Sequence, residues 1–156
     1  MNGKIVAVGL VLTGLTAGIA MYWLQVYAFY EPVSFTPGAE IMLTPIIGET
    51  PEAIVVGDVQ GIDANSSPLR FRACFTTPLT LATLSETYKV YDGAVPTIAP
   101  GWFDCFDAQA IGDALESGEA LAFLSQEGIA PEIDRVVAVF PDGRAYAWHQ
   151  LNPGTE

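Results

Sequence analysis

Two cysteines, Cys74 and Cys105, are the residues of this chain whose chemistry is easiest to infer. In an oxidising compartment an even pair of thiols forms a disulfide, and a bridge that closes about 30 residues stabilises a fold by roughly 3–4 kcal/mol in the chain-entropy model. The alternative is a redox or copper-handling pair, although catalytic dithiols usually show a Cys-x-x-Cys spacing that this pair lacks. We therefore expect a structural Cys74–Cys105 disulfide.

His149 is the single histidine of the chain. Zinc and copper sites normally use several histidine or cysteine ligands, so a site that combined His149 with the two cysteines would need an assumed fold. We expect His149 to be a solvent-facing or hydrogen-bonded residue of a strand. We expect no metal and no cofactor.

Familiar catalytic motifs are missing from the sequence. It contains no Gly-x-Ser-x-Gly, no phosphate-binding loop, no Gly-x-Gly-x-x-Gly and no His-Glu-x-x-His. A carboxylate pair such as Asp104 and Asp107 could do acid–base chemistry, but surface acids are the better explanation in a chain with 18 acidic residues. We therefore predict no catalytic residues and a protein that is not an enzyme.

Three large aromatic residues, Trp102, Phe103 and Phe106, surround the second cysteine. The favoured interpretation is that they pack in the core against the disulfide. The alternative is that part of the segment is exposed and contacts a partner protein, because aromatic side chains often dominate the binding energy of interfaces.

The element that must position this chemistry is an uncharged run, Ile5 to Tyr30. A helix needs roughly 20 apolar residues to cross the hydrocarbon core of a bilayer. The second half of the run carries Tyr22, Trp23, Tyr27 and Tyr30, and such rings favour the membrane–water interface. We predict a transmembrane anchor in residues 1–30, a membrane-proximal linker in residues 31–40 and a folded domain in residues 41–156.

A cleaved signal peptide is the alternative for the same run, with Lys4 as its charged start and Gly18-Ile19-Ala20 as its cleavage site. We favour the anchor because the apolar run continues for about ten residues beyond that site, as a spanning helix requires. Lys4 is the only basic residue near the helix, so the N-terminus is expected in the cytoplasm and the domain on the far side.

Small residues within the run predict a helix–helix contact. Gly14 and Gly18 are four residues apart with Ala17 beside them, a spacing that lets a second membrane helix approach closely.

Charge is divided unevenly along the 156 residues. All 18 acids follow Tyr30, with five basic residues among them, so the part of the chain after the run carries a net charge of −13. This excess argues against binding nucleic acid or an anionic lipid surface. It favours a basic partner protein, although an acidic surface also keeps an exported domain soluble.

Strand patterns dominate the domain. Ala53–Ile62 and Leu69–Thr76 flank a turn cluster and predict one hairpin, and the strands on either side of Pro141-Asp142-Gly143, within Arg135–Leu151, predict a second. In Leu69–Thr76 the alternation separates Phe71 and Phe75 from Cys74.

Two helices are predicted in the domain. Asp107–Ser117 has an N-cap at Asp107 and a stop at Gly118, and a short helix is expected within Pro78–Tyr91. Residues 119–126 fit helix or strand, with strand favoured. The predicted fold is α+β: one N-terminal transmembrane helix, then a small, mostly antiparallel sheet with one or two helices and one disulfide.

Four segments carry a resemblance to a known family: the start MNGK, the exit LQVYAFYE, the segment WFDCFD and the ending VVAVFPDGRAYAWHQL. The chain resembles an uncharacterised alphaproteobacterial family of short, single-pass inner-membrane proteins with a periplasmic domain of unknown function. The resemblance implies the compartment and supplies no catalytic residues.

We therefore expect a non-catalytic accessory or assembly subunit of a larger inner-membrane complex, with a respiratory complex of the cytochrome oxidase type as the specific hypothesis. Its partners would be integral membrane subunits that contact the helix and a basic periplasmic protein. The alternatives are a small periplasmic redox or copper-handling protein that uses Cys74 and Cys105, and a freestanding anchored binding domain.

Overall fold

The computed structural model describes residues 2–155 and divides the chain into two units, Met1–Tyr30 and Glu31–Glu156. Helix α1 (Gly3–Val26) makes up most of the first unit. At 1.5 Å per residue it is about 36 Å long, enough to cross a hydrocarbon core of ~30 Å. Its best 18-residue window has a mean hydropathy of 2.0, and none of its residues is buried. By length and composition α1 could cross a membrane; a signal sequence near the N-terminus would pass the same test.

The C-terminal end of α1 carries an aromatic cluster. Trp23 and Tyr27 stack with ring centroids 5.0 Å apart, and Tyr22 meets Tyr27 edge-on at 6.2 Å. The helix ends at Val26, four residues before the apolar run does, and the Tyr27 N–H donates to the Trp23 carbonyl.

An antiparallel sheet of six strands, in the order β1-β4-β5-β8-β7-β6, forms the second unit, and a separate two-stranded sheet pairs β2 with β3. In chain order the strands are β1 (Glu31–Pro32), β2 (Met42–Leu43), β3 (Glu52–Ala53), β4 (Gly57–Asp63), β5 (Arg72–Thr76), β6 (Leu121–Ala130), β7 (Ile133–Val139) and β8 (Arg144–Leu151). With its helices and disulfide the chain has the α+β fold that the sequence predicts.

Both predicted hairpins are present. β4 pairs with β5, and β7 pairs with β8 across Pro141-Asp142-Gly143. Gly143 adopts φ +87°, and Asp142 Oδ1 accepts a hydrogen bond from the Arg144 N–H at 3.0 Å, as tight turns require. β5 also pairs with β8, which places the two hairpins side by side.

Side-chain caps define two short helices in the domain. Thr80 Oγ1 accepts from the Thr83 N–H at the start of α2 (Leu81–Thr87). Asp107 Oδ1 accepts from two backbone N–H groups at the start of α3 (Ala108–Ser117), and Gly118 ends α3 in the left-handed region at φ +75°. Both features of α3 agree with the prediction from its sequence. A final 3₁₀ turn spans Pro153–Thr155.

Hydrophobic clusters cover both faces of the sheet. On one face the buried side chains of β5, β7 and β8 pack with α2 and with β2; this cluster comprises Ile41, Leu43, Ile54, Phe71, Ala73, Phe75, Leu84, Tyr88, Phe123, Val137, Val139, Ala145 and Ala147. On the other face α3 and the loop before it cover the sheet; this cluster comprises Cys74, Phe106, Ile111, Ala114, Ala120, Ala122, Val136, Ala138, Phe140 and Trp148. The central strands β5, β7 and β8 are therefore largely buried between these two clusters.

Two more segments, residues 31–40 and residues 119–126, each contribute residues to a strand. Residues 31–40, expected to form a linker, contribute β1, and Val33 and Phe35 pack against the first hydrophobic cluster. Residues 119–126 fitted helix or strand. From Leu121 onward they belong to β6, so this part of the chain is a strand, as the sequence favoured.

Candidate functional site

The predicted disulfide joins the middle of the sheet to the loop before α3. Cys74 lies in β5, where it pairs with Gln60 and Tyr146, and it is bonded to Cys105 across a Cα–Cα distance of 6.2 Å. This distance is within the usual range for disulfides. Cys74 is buried and Cys105 is half-buried. The bridge holds the segment that carries Trp102, Phe103 and Phe106 against one face of the sheet.

Those three aromatic residues have different surroundings. Phe106 is buried in the second hydrophobic cluster, where it meets Tyr146 and Trp148 edge-on at 5.9 and 6.3 Å. Phe103 is half-buried, and Trp102 is 37% exposed. Because Phe106 packs in the core, it has to be removed from the predicted partner-contact set, of which Trp102 is the exposed member.

A buried polar cluster lies at the end of the sheet where β8 finishes. Arg135 Nε donates to His149 Nε2 at 2.9 Å, and His149 Nδ1 lies 2.6 Å from the Pro68 carbonyl oxygen. A carbonyl only accepts hydrogen bonds, so Nδ1 carries the proton and the imidazole is neutral. Phe71 stacks on His149 at 4.6 Å, with the Arg135 guanidinium 4.3 Å from the centre of the Phe71 ring.

The electrostatic environment of this cluster keeps the His149 imidazole in its neutral form. Burial, together with the nearby positive charge of Arg135, lowers the pKa of His149 to about 3. Burial also lowers the pKa of Arg135, and the carboxylate of Asp63 opposes that effect. With Nε2 occupied by Arg135 and the ring shielded by Phe71, His149 has a structural role rather than that of a general base.

The sequence left His149 as either solvent-facing or hydrogen-bonded, and it did not indicate Arg135 as the partner. Arg135 and His149 are directly opposite in the β7–β8 ladder, at equal distances from the turn. Counting outward from Pro141-Asp142-Gly143 would have found the pair, since the register of a hairpin follows from its turn.

A groove beside α3 has a volume of about 530 Å³ and is lined in part by Cys105, Asp107, Asp113, Glu119 and Arg144. The carboxylate of Asp107 already accepts the backbone N–H groups that begin α3, so it acts as a helix cap. Within residues 2–155 no group of three or more His, Cys, Asp or Glu side chains is arranged to hold a metal ion.

The predicted helix-packing residues lie on an open surface of α1. A Cβ atom added to Gly14 or Gly18 would meet no atom within 4 Å. The nearby Thr13 and Thr16 hydroxyls donate to carbonyls of the preceding turn of the helix. The path for a second helix to approach these glycines is therefore unobstructed in the described part of the chain.

One family model matches residues 41–156, which is most of the chain and nearly all of the folded unit. The chain belongs to DUF6446, a family of unknown function. No curated protein and no solved structure matches it. The DUF6446 match begins at Ile41, so it contains the disulfide, the buried Arg135–His149 pair and the groove beside α3, and it excludes α1 and β1.

Proposed function

We propose that this DUF6446 protein is a non-catalytic accessory or assembly subunit that α1 anchors in a bacterial inner membrane, with the domain in the periplasm. The observation that carries the proposal is α1 itself. Its large apolar side chains from Ile5 to Leu24 are exposed in the described chain, although burying such side chains is worth roughly 1.5–3 kcal/mol each. A lipid bilayer or the helices of another membrane protein would supply that burial.

The disulfide supports the periplasmic side. Structural disulfides persist in oxidising compartments such as the periplasm and are rare in the cytosol. Lys4, in the first turn of α1, agrees with an N-terminus in the cytoplasm.

Docking to a larger complex explains why the domain is held on a short connection. Only residues 27–30 separate the last helical residue from β1, and Phe35 then packs on the domain. A freestanding binding domain that searches for ligands would gain from a long flexible linker, whereas a docked subunit does not need one.

A respiratory complex of the cytochrome oxidase type is the specific form of the proposal. Such a complex receives electrons from basic carriers in the periplasm, and a domain with a charge of −13 would raise their local concentration. The redox alternative is less favoured, because Cys74 is buried and the bridge lies against the hydrophobic cluster around Phe106.

Affinity purification of the full-length protein from membranes dissolved in a mild detergent tests the proposal. We expect stoichiometric membrane subunits to co-purify, and to be lost when Gly14 and Gly18 are both replaced by Leu. Replacing the open positions Gly3 and Gly9 by Leu is the matched control, which should keep the partners. Recovery of the protein alone under all conditions would contradict the proposal.

A further inference from the structure

A second groove of the domain, at the end of β8, has a mostly apolar surface. It has a volume of about 460 Å³, and none of its lining residues is ionisable. Leu69, Val95, Leu151 and Pro153 supply its apolar surface. Val95 is 64% exposed and Leu151 59% exposed, and the neighbouring Ile98 is 84% exposed. Exposed apolar surface of this kind is typical of interaction sites.

Buried side chains fix the loop that forms one wall of this groove. The guanidinium of Arg72 donates to the Thr97 and Ile98 carbonyls at 2.6 and 2.9 Å. Gln150 accepts from the Val95 N–H at 2.8 Å and donates to the Gly93 carbonyl at 3.1 Å. The loop therefore presents Val95 and Ile98 on an ordered backbone, which lowers the entropy that a partner would have to remove on binding.

Two acidic residues adjoin lining residues of the groove, one in sequence and one through a backbone hydrogen bond. Asp92 precedes the lining residue Gly93, and the Glu132 carbonyl accepts from the N–H of the lining residue Asn152 at 2.8 Å. Both Asp92 and Glu132 are exposed. The wider stretch of residues 90–134 has nine acids and no Lys or Arg, while Arg70 is the cation next to a lining residue in sequence.

We propose that this groove, formed by the loop 93–97 and the end of β8, binds an apolar side chain of a protein partner that also carries Lys or Arg residues beside it. Charge complementarity argues for this occupant, because the acidic residues attract a basic protein and repel an anionic lipid surface. The inference rests on the proposed accessory function and names where its basic partner docks.

Peptide binding to the full-length protein in nanodiscs of neutral lipid tests the proposal. The probe is a labelled peptide of leucines flanked by lysines, followed by fluorescence anisotropy. We expect V95S/L151S to weaken binding by about tenfold or more, since apolar anchors dominate such contacts. The control I47S removes a side chain that is 94% exposed outside the groove, and it should leave binding unchanged. Equal affinity of V95S/L151S and the native protein would overturn the proposal.

A second pair of variants measures how much the acidic residues contribute to peptide binding. D92N/E132Q should weaken binding and reduce its dependence on salt more than E49Q/E86Q, which removes the same charge elsewhere. A lysine-only peptide that binds as tightly as the leucine–lysine peptide would show that only net charge acts. It would overturn the proposal that the groove binds an apolar side chain. Self-association that V95S/L151S abolishes, or salt-insensitive attachment of the groove to nanodiscs, would assign it to a second copy or to lipid instead.

The two proposals fail in different ways. V95S/L151S should still co-purify its membrane subunits through α1, because the groove lies in the other unit. If the subunits are retained and peptide binding is unchanged, the docking groove is wrong and the accessory role stands. If no subunit co-purifies with the native protein but the groove binds the peptide, the accessory role is wrong.

Discussion

His149 shows how the fold accommodates a polar side chain in a buried layer. Its two ring nitrogens are both used, one by Arg135 and one by the Pro68 carbonyl, and its face is covered by Phe71. A satisfied group of this kind avoids the penalty for burying an unpaired polar atom, which is about 1–3 kcal/mol. Protonation would place a second positive charge beside Arg135, so the site holds the neutral ring.

Stability should therefore depend on pH through His149. The folded pKa of about 3 lies below the ordinary value of 6.5, so below pH 6.5 the unfolded chain binds a proton that the folded chain does not. The contribution of His149 is fully present above pH 6.5 and is lost as the pH falls towards 3, with about 2 kcal/mol lost between pH 7 and 5. Urea unfolding at the two pH values measures it.

The control for that measurement is H149Q, which keeps a hydrogen-bond acceptor for Arg135 but cannot be protonated in this range. Burial raises the pKa of Asp63 and gives an opposite slope, which both proteins share. An unchanged difference between pH 7 and 5 in H149Q would mean that His149 is not the group responsible.

Single residues were predictable from the sequence where their chemistry is local. The Cys74–Cys105 pair follows from cysteine count and compartment, and the Asp107 cap follows from its position before an apolar stripe. The burial of Phe106 and the Arg135–His149 contact depend on which segment covers which face of the sheet. That arrangement is set by contacts distant in sequence, which a local pattern does not contain.

Among the elements, β1 is held in place by a glycine on its neighbour. A Cβ atom at Gly61 of β4 would lie 2.6 Å from Cζ and 2.9 Å from Cε2 of Phe35. The absence of a side chain at Gly61 therefore lets the Phe35 ring, just after β1, pack closely against β4. This contact turns the start of the domain into an ordered part of it.

Replacing Gly61 by Ala should lower the free energy of unfolding by about 1–3 kcal/mol, because the new methyl group displaces the Phe35 ring from its packing. In an F35A background the same change should cost much less, so a double-mutant cycle by urea unfolding measures the coupling. G143A differs from G61A in the atom that it meets. Its Cβ would lie 2.7 Å from the Thr77 carbonyl oxygen, a backbone atom, so no side chain can move aside. Additive effects of G61A and F35A would contradict this account.

The disulfide acts on the element that covers the second face of the sheet. Removing it in C74A/C105A should lower the free energy of unfolding by about 3–4 kcal/mol, because a bridge across 31 residues no longer restricts the unfolded chain. Native protein unfolded in the presence of a reductant is the control and should match the double variant. A variant as stable as the oxidised protein would show that the bridge has another purpose.

Helices and strands were predictable where the spacing of apolar residues and the turn or cap residues indicate the same element. The β7–β8 hairpin has β-branched or aromatic apolar residues on both sides of Pro141-Asp142-Gly143, and α3 has both of its caps in sequence. The strand β6 was ambiguous because Ala120–Leu124 is apolar throughout, as is typical of a strand whose side chains are buried on both faces. The order of the six strands could not be predicted, since it places β8 between β5 and β7 although β5 and β8 are distant in sequence.

At the scale of the whole molecule, a helical unit whose only charged side chain is Lys4 precedes a domain with a net charge of −13. This division predicts that the N-terminal run is retained in the mature protein. Intact-mass measurement of the protein from membranes should give the length that includes α1, and alkaline carbonate should not extract it. A mature protein that begins near Met21 would instead identify the run as a cleaved signal peptide.

Confinement to a membrane surface would bring copies of this domain close together. The protection of its sheet edges would then matter more. Backbone groups of Lys89, Tyr91 and Thr44 occupy the outer side of β6, while β4 beyond β1 has a register shift and Asp58 in the left-handed region at φ +52°. Neither edge offers the long flat row of amides along which identical chains polymerise. Crowded in two dimensions, neighbouring copies would therefore have little open strand edge along which to seed fibrils.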